Sequence, residues 1–228
     1  MRTSLLLLLF CVTMASCGVN RNVYKSADFS TKASRHKTVA ILPFQITQTG
    51  HVSKKETVDD IKAANEKWAY VFQQSLLSYS LRHTSRNRKG QMVSFQGIQQ
   101  TNAILKESGL SIEEMYSKRP EELAQLLGVD AVIMTIMEKD KNFSDGVAYG
   151  VAAGRAVLNA VSKSGTLGAP LGGLNAADVN LNSYLYDAKD GKLLWKTFRQ
   201  GGTDLPTNTD DLVEFYSNWI ARKLPYRS

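Results

Sequence analysis

Residues 110–140 read LSIEEMYSKRPEELAQLLGVDAVIMTIMEKD. Three start and stop signals punctuate this stretch. Ser111 and Glu114 have capping-box spacing, so a helix starts at Ser111. Pro120 suits the first turn of a second helix, and Gly128 suits its C-terminal cap. Val129 to Met137 is then a near-continuous apolar run, as expected of a strand buried on both faces. Helix, glycine, buried strand is the order of an α/β unit with parallel pairing.

The segments on either side repeat this grammar. Residues 38–46, TVAILPFQI, are β-branched and apolar and predict another buried strand, with Pro43 near its end or at a bulge. Residues 47–55 are polar and predict a loop. Residues 57–83 predict a long helix. Thr57 or Asp59 caps it, Asp59 and Asp60 sit in its first turn, and Ile61, Ala64, Trp68, Val71, Phe72, Leu76 and Tyr79 share one face. A short strand is predicted at Met92–Phe95, and a helix at Ile98–Glu107 ending at Gly109. Towards the C-terminus, VNLNSYLYDA (179–188) alternates apolar and polar residues. DAKDG (187–191) supplies hairpin turn chemistry, and Leu193–Phe198 returns as a strand containing Trp195. A last helix is predicted over Asp210–Lys223, with Leu212, Phe215, Trp219 and Leu224 on its apolar side.

The N-terminus carries different information. Arg2, an apolar run from Leu5 to Val12 and small residues before Cys17 describe a secretory signal peptide. The run is too short for a membrane-spanning helix, which needs about 20 apolar residues. Met14-Ala15-Ser16-Cys17 resembles the lipobox of bacterial lipoproteins, although Met at its first position is less usual than Leu. That resemblance implies an acylated Cys17 at the mature N-terminus. Gly18 after it implies, by the enterobacterial sorting rule, an outer-membrane destination facing the periplasm. An ordinary cleaved signal followed by an incidental cysteine is the plainer alternative.

Acylation by several chains gives stable anchoring where one chain is marginal. Cys11 leaves with the signal, so the mature chain has no disulfide and relies on an apolar core. Cleavage leaves 228 − 16 = 212 residues, a length that fits one domain. The expected organisation is a signal peptide over 1–16, an acylated cysteine with a flexible tether over 17–36, and an α/β domain over 37–228. Residues 18–36 lack helical or strand periodicity. A chain of that length reaches roughly 25 Å on average and about 65 Å at full extension, enough to let the domain stand off the membrane.

Charge narrows the partners. The formal charge is +7, with a local cluster at Arg82–Lys89. A basic surface fits anionic lipid or cell-wall polymer, or is a solvated loop, and export argues against nucleic acid. The 43% hydrophobic content supports a packed core.

The order of these elements resembles a superfamily of bacterial envelope proteins with an anticodon-binding-like α/β fold. It includes the curli-secretion lipoprotein, the amino-terminal domain of TolB and outer-membrane lipoproteins that activate penicillin-binding proteins or assist polysaccharide export. Pro43-Phe44, Leu127-Gly128-Val129-Asp130, and Asp187-Ala188 with Gly191 and Trp195 carry the resemblance, over about 38–138 and 179–223. It implies a single mixed sheet, parallel strands plus a C-terminal antiparallel hairpin, flanked by helices. It also implies a non-catalytic binding or scaffolding lipoprotein, often oligomeric, with envelope proteins as partners. A pore-forming export component and a cell-wall glycan binder, through Trp195 or Tyr184, are the alternatives.

Residues 139–178 form a Gly/Ala-rich insertion in this plan. Gly146, Gly150 and Gly154 are four apart and would line one helix face, a possible self-association or partner surface. Packing of the segment on its own domain is the competing reading. Membrane insertion is disfavoured by Arg155 and Lys163.

Catalytic signals are sparse. His36, His51 and His83 lack metal-ligand spacing, so no metal is expected, and no cofactor is expected beyond lipid on Cys17. GVAAGR (150–155) lacks the ending of a phosphate loop. The acidic pairs Asp59-Asp60 and Glu121-Glu122 sit at helix starts, where the dipole favours them.

Overall fold

The computed structural model describes residues 22–50, 57–85, 93–141, 178–201 and 209–226. In chain order these form β1 (Val23–Lys25), α1 (Phe29–Ala33), β2 (Thr38–Ile41), β3 (Gln45–Gly50), α2 (Val58–Ser85), β4 (Ser94–Phe95), α3 (Ile98–Glu107), α4 (Ile112–Ser117), α5 (Pro120–Leu127), β5 (Ala131–Lys141), β6 (Asp178–Asp187), β7 (Leu193–Arg199) and α6 (Thr209–Ala221). The strands make one mixed sheet in the order β1-β7-β6-β5-β2-β4, with β3 also paired to β5. β2 and β3 run parallel to β5, whereas β6 and β7 form the antiparallel hairpin. The single mixed α/β sheet is therefore the observed fold. Among the described residues no helix is long and apolar enough to cross a membrane.

β5 is the spine, and its alternation divides the core. Ala131, Ile133 and Met137 point to one face, with Val39, Ile41, Leu181, Leu185 and Trp195, beneath α2 and α6. Val132 and Met134 point to the other, with Ala40 and Leu42, beneath α3, α4 and α5. Thr135, fully buried in the spine, is satisfied by the hydroxyl of Ser183 directly opposite, at 3.0 Å.

The helix signals act as read. The Ser111 hydroxyl accepts from the Glu114 N–H at 3.2 Å, and the Glu114 carboxylate accepts from the Ser111 N–H at 2.8 Å. Gly128 closes α5 at φ 65°, a left-handed conformation that costs any residue with a Cβ.

Two expectations need correction. TVAILPFQI is not one strand. Ile41 pairs with Ile133 but Gln45 pairs with Ile136, so four steps on one chain face three on the other. This is a bulge at Pro43, which has no N–H to give the ladder. The hydroxyl of Tyr116 fills the gap. It accepts from the Thr135 N–H at 2.9 Å and lies 3.0 Å from the Pro43 carbonyl and 2.8 Å from that of Thr135. Burial pushes the Tyr116 phenol well up, so it stays protonated and able to donate. The chain then continues as β3 to Gly50, where a loop was expected from residue 47.

The apolar face of α2 also begins later than its periodicity implies. Phe72 and Leu76 are buried and Trp68, Val71 and Tyr79 pack beside them, but Ala64 is exposed. The first turns project past the sheet, leaving Val58 80% exposed.

Candidate functional site

The largest revision concerns residues 22–36, expected as tether. β1 pairs with β7 through Val23↔Thr197 and Lys25↔Trp195. In α1, Phe29 and Ala33 are buried in the main core. The expectation failed because three paired residues and a five-residue helix are too short to show a period. The segment expected as tether therefore belongs to the folded domain from Asn22 onward.

What fixes this segment is a buried polar cluster. His36 bridges Tyr226 and Asp187, with Nδ1 2.7 Å from the Tyr226 hydroxyl and Nε2 2.9 Å from Asp187 Oδ1. All three side chains are nearly inaccessible. The Lys32 ammonium donates to the other Asp187 oxygen at 3.1 Å and also to Asp190. Lys192 reaches Asp28 at 2.6 Å. The cluster thus staples α1 to the β6–β7 turn and to the C-terminal end of the chain.

The electrostatics are consistent with a lock. Burial, then the negative charges of Asp187 and Asp130, push the Tyr226 phenol up, so it remains a donor. With Tyr226 donating to Nδ1, the Nε2–H tautomer of His36 satisfies Asp187. The Lys32 hydrogen bond holds Asp190 down at about 2. Beside them, burial opposes ionisation of Asp130, but the Lys37 and Thr38 N–H groups, at 2.8 and 2.9 Å, outweigh it and lower its pKa.

His36, Asp187 and Tyr226 have the residue types of a proton relay. A relay needs reach to a reacting atom. The cavities below are lined by none of the three.

The larger cavity is a groove of about 370 Å³ between β3, the projecting start of α2 and the start of α4. Phe44, Ile46, Val58, Ile61 and Ile112 give it apolar walls, and Lys62, Glu66 and Glu113 give it charged ones. Among the described residues β3 pairs with β5 alone. A second, much smaller depression is apolar and lies among Ile46, Trp68, Phe72, Val179 and Leu212.

A third feature is on the sheet face bearing Val132 and Met134. The helices cover that face over β2 and β5. Further out, Tyr184 on β6 faces Lys196 on β7, which faces Tyr24 on β1. Tyr186 stacks on Tyr184 with ring centres 5.9 Å apart, and the Lys196 ammonium sits 5.2 Å from the Tyr184 ring centre. Tyr24 is 50% exposed and Phe198 40%.

The residues singled out from the sequence separate as follows. Cys17 and the glycines Gly146, Gly150 and Gly154 lie outside the described residues. Trp195 is fully buried beneath the helices, which removes it as a glycan platform, while Tyr184 stays on the open face. Asp60 caps α2 through Thr57, and Glu122 pairs with Arg119 at 2.8 Å. His83 meets Asn218. Among the described residues no group of three His, Cys, Asp or Glu could hold a metal. Tyr116, Tyr226 and Lys32 were missed, because each acts on a residue 19 to 190 positions away and no local spacing announces it.

No family model and no curated protein matches the chain. Solved structures do. Lipoprotein GNA1162 from Neisseria meningitidis is 16% identical, with 82% of this chain and 98% of that one covered, at a TM-score of 0.39. The LpoB C-terminal domain from Salmonella enterica is 11% identical, covering 72% and 82%, at 0.33. The PelC dodecamer from Paraburkholderia phytofirmans is 12% identical, covering 84% and 88%, at 0.33.

Proposed function

We propose that this chain is a non-catalytic, lipid-anchored lipoprotein of the bacterial envelope that binds other envelope components within an assembly. The observation that carries the reading is Cys17, placed after a short apolar run and small residues and five positions before the first described residue, Asn22. A folded α/β domain attached so closely to an acylation motif is an arrangement for presenting a binding surface at a membrane.

The groove beside β3 supports the binding half of the reading. It has apolar walls, a charged margin and a strand edge, the combination that accepts an extended segment of another protein. The buried His36–Asp187 lock supports a scaffolding role, since it secures the domain to the segment next to the anchor.

Metabolic labelling with a fatty acid tests the anchor. Label and membrane association are expected in the native chain and lost in Cys17→Ala. Continued labelling of that variant overturns the reading. Photo-crosslinking from Thr47 or Gln48 in intact cells tests the groove, where capture of another envelope protein is expected.

A further inference from the structure

We infer that the open sheet margin formed by Tyr24, Lys196 and Phe198 rests against the surface of the anionic phospholipid bilayer in which the chain is anchored. The inference relies on acylation of Cys17, as proposed above.

Chain length supplies the first argument. Four residues lie between Cys17 and Asn22, and the five steps from one to the other span at most about 18 Å. The domain cannot stand off as a chain tethered to residue 36 would. The fold also fixes where the tether ends. The Asn22 carbonyl accepts from the Phe198 N–H at 3.1 Å and from the Thr197 hydroxyl at 2.8 Å. The chain therefore leaves the domain beside Phe198, at the β1 edge of the sheet.

The chemistry at that point supplies the second argument. Tyr24 and Phe198 are two of the few large hydrophobic side chains left exposed, and both stand on the same face as Lys196. Aromatic rings with polar tips favour the headgroup level, and a lysine near an anionic leaflet contributes about 1 kcal/mol, or roughly fivefold. The Lys196 ammonium lies 5.2 Å from the ring centre of its cross-strand neighbour Tyr184. Of the acidic residues on the same face, Glu138 and Asp140 lie on β5, two strands from β7, and Asp178 lies on β6 beyond the end of its pairing with β7. An anionic surface therefore meets the β1–β7 edge before it meets them. Among the described residues no helix covers this margin, and the short reach from the anchor makes the bilayer the nearest surface.

The test uses the acylated mature chain carrying Phe198→Cys or Gln74→Cys. Acylation of Cys17 leaves the introduced thiol as the sole free one, and Gln74 is exposed on α2, across the sheet. Each thiol carries an environment-sensitive fluorophore, and the protein is reconstituted on mixed zwitterionic and anionic phospholipid vesicles containing headgroup-quencher lipid. Quenching and a blue shift are expected at position 198 and not at 74. Adding Lys196→Gln should weaken the contact about fivefold on these vesicles and leave it unchanged on purely zwitterionic ones. Equal, aqueous signals at both positions on vesicle-bound protein overturn the inference while leaving the anchor intact. A blue shift at 198 that persists in a non-acylated Cys17→Ser form, free of both vesicles and detergent, also overturns it and assigns the patch to a second copy. Failure of the native chain to float with vesicles removes the anchor and this inference together.

Discussion

The two faces of one sheet have opposite fates, although the same strands build both. On the first, α2 and α6 bury Ile133, Leu181, Leu185 and Trp195. On the second, three short helices cover Ala40, Leu42, Val132 and Met134 and stop, leaving β6, β7 and β1 to present Tyr184, Lys196, Phe198 and Tyr24. Strand alternation decides which residues share a face, but the helices decide which face is core. The residue types on the open part follow. They are tyrosines, a phenylalanine, an asparagine and a lysine, in place of the aliphatic side chains on β5 opposite the helices.

The sharpest way to break the comparison is to delete one ring from the covered face. Trp195 is fully buried, and truncation of a buried aromatic costs about 3–5 kcal/mol. Trp195→Ala should cost about 4 kcal/mol in urea unfolding, a large share of a domain's stability. A loss of under about 1 kcal/mol would mean that the covered face is not the principal core.

Next is the lock that carries the covered core to the N-terminal segment. Asp187→Ala leaves His36 without its Nε2 partner and Lys32 with Asp190 alone. Losing hydrogen bonds to a buried charged group costs about 2–3 kcal/mol. Amide exchange should rise first over residues 29–36, ahead of β5. Uniform acceleration throughout the chain would show that α1 is not an independently stapled unit.

How much of this was legible differs between the same regions. The strands and helices of the α/β units were readable, because Ser111, Pro120 and Gly128 mark boundaries chemically and β5 is long enough to show its pattern. The lock was not. Asp187 reads as a turn residue and does serve the turn, its carbonyl accepting from the Gly191 N–H at 3.0 Å. That local explanation masks the carboxylate's work on His36, 151 residues away. Gly191 also has a hidden second reason. Besides its φ of 64°, the Glu121 carboxylate occupies the place a Cβ would take. Pro43 signalled a bulge but could not say that Tyr116 would satisfy it.

Tyr116→Phe is the next-largest change expected. It removes one oxygen and leaves the Thr135 N–H unpaired inside the sheet, a cost of about 1–2 kcal/mol. Thermal unfolding measures it. A neutral result would show that the bulge is satisfied without the hydroxyl.

Acid should act more weakly, and on the lock's margin. Asp190 is lowered to about 2 by Lys32, and Asp130 is lowered on balance by its two N–H donors. A depressed carboxylate contributes stability above its unfolded pKa and loses it as pH falls through the folded value. Stability should therefore decline from about pH 4 towards pH 2. Asp190→Asn should flatten that decline modestly, since Asp190 is about half exposed and solvent screens the pair. An unchanged slope in Asp190→Asn removes this residue from the acid response.

The smallest effect is the one the open face predicts. Phe198 and Trp195 are both aromatic, three residues apart on one strand, and hydropathy alone ranks them together. They point to opposite faces, and only Trp195 lies under helices. Phe198→Ser should therefore change unfolding stability by no more than about 0.5 kcal/mol, as surface substitutions do. Its backbone N–H, which holds the Asn22 carbonyl, is untouched by the substitution. A loss above about 2 kcal/mol would show that the outer half of the second face is packed against something in the free protein. The face would then be core, and the asymmetry between the two sides of the sheet would disappear.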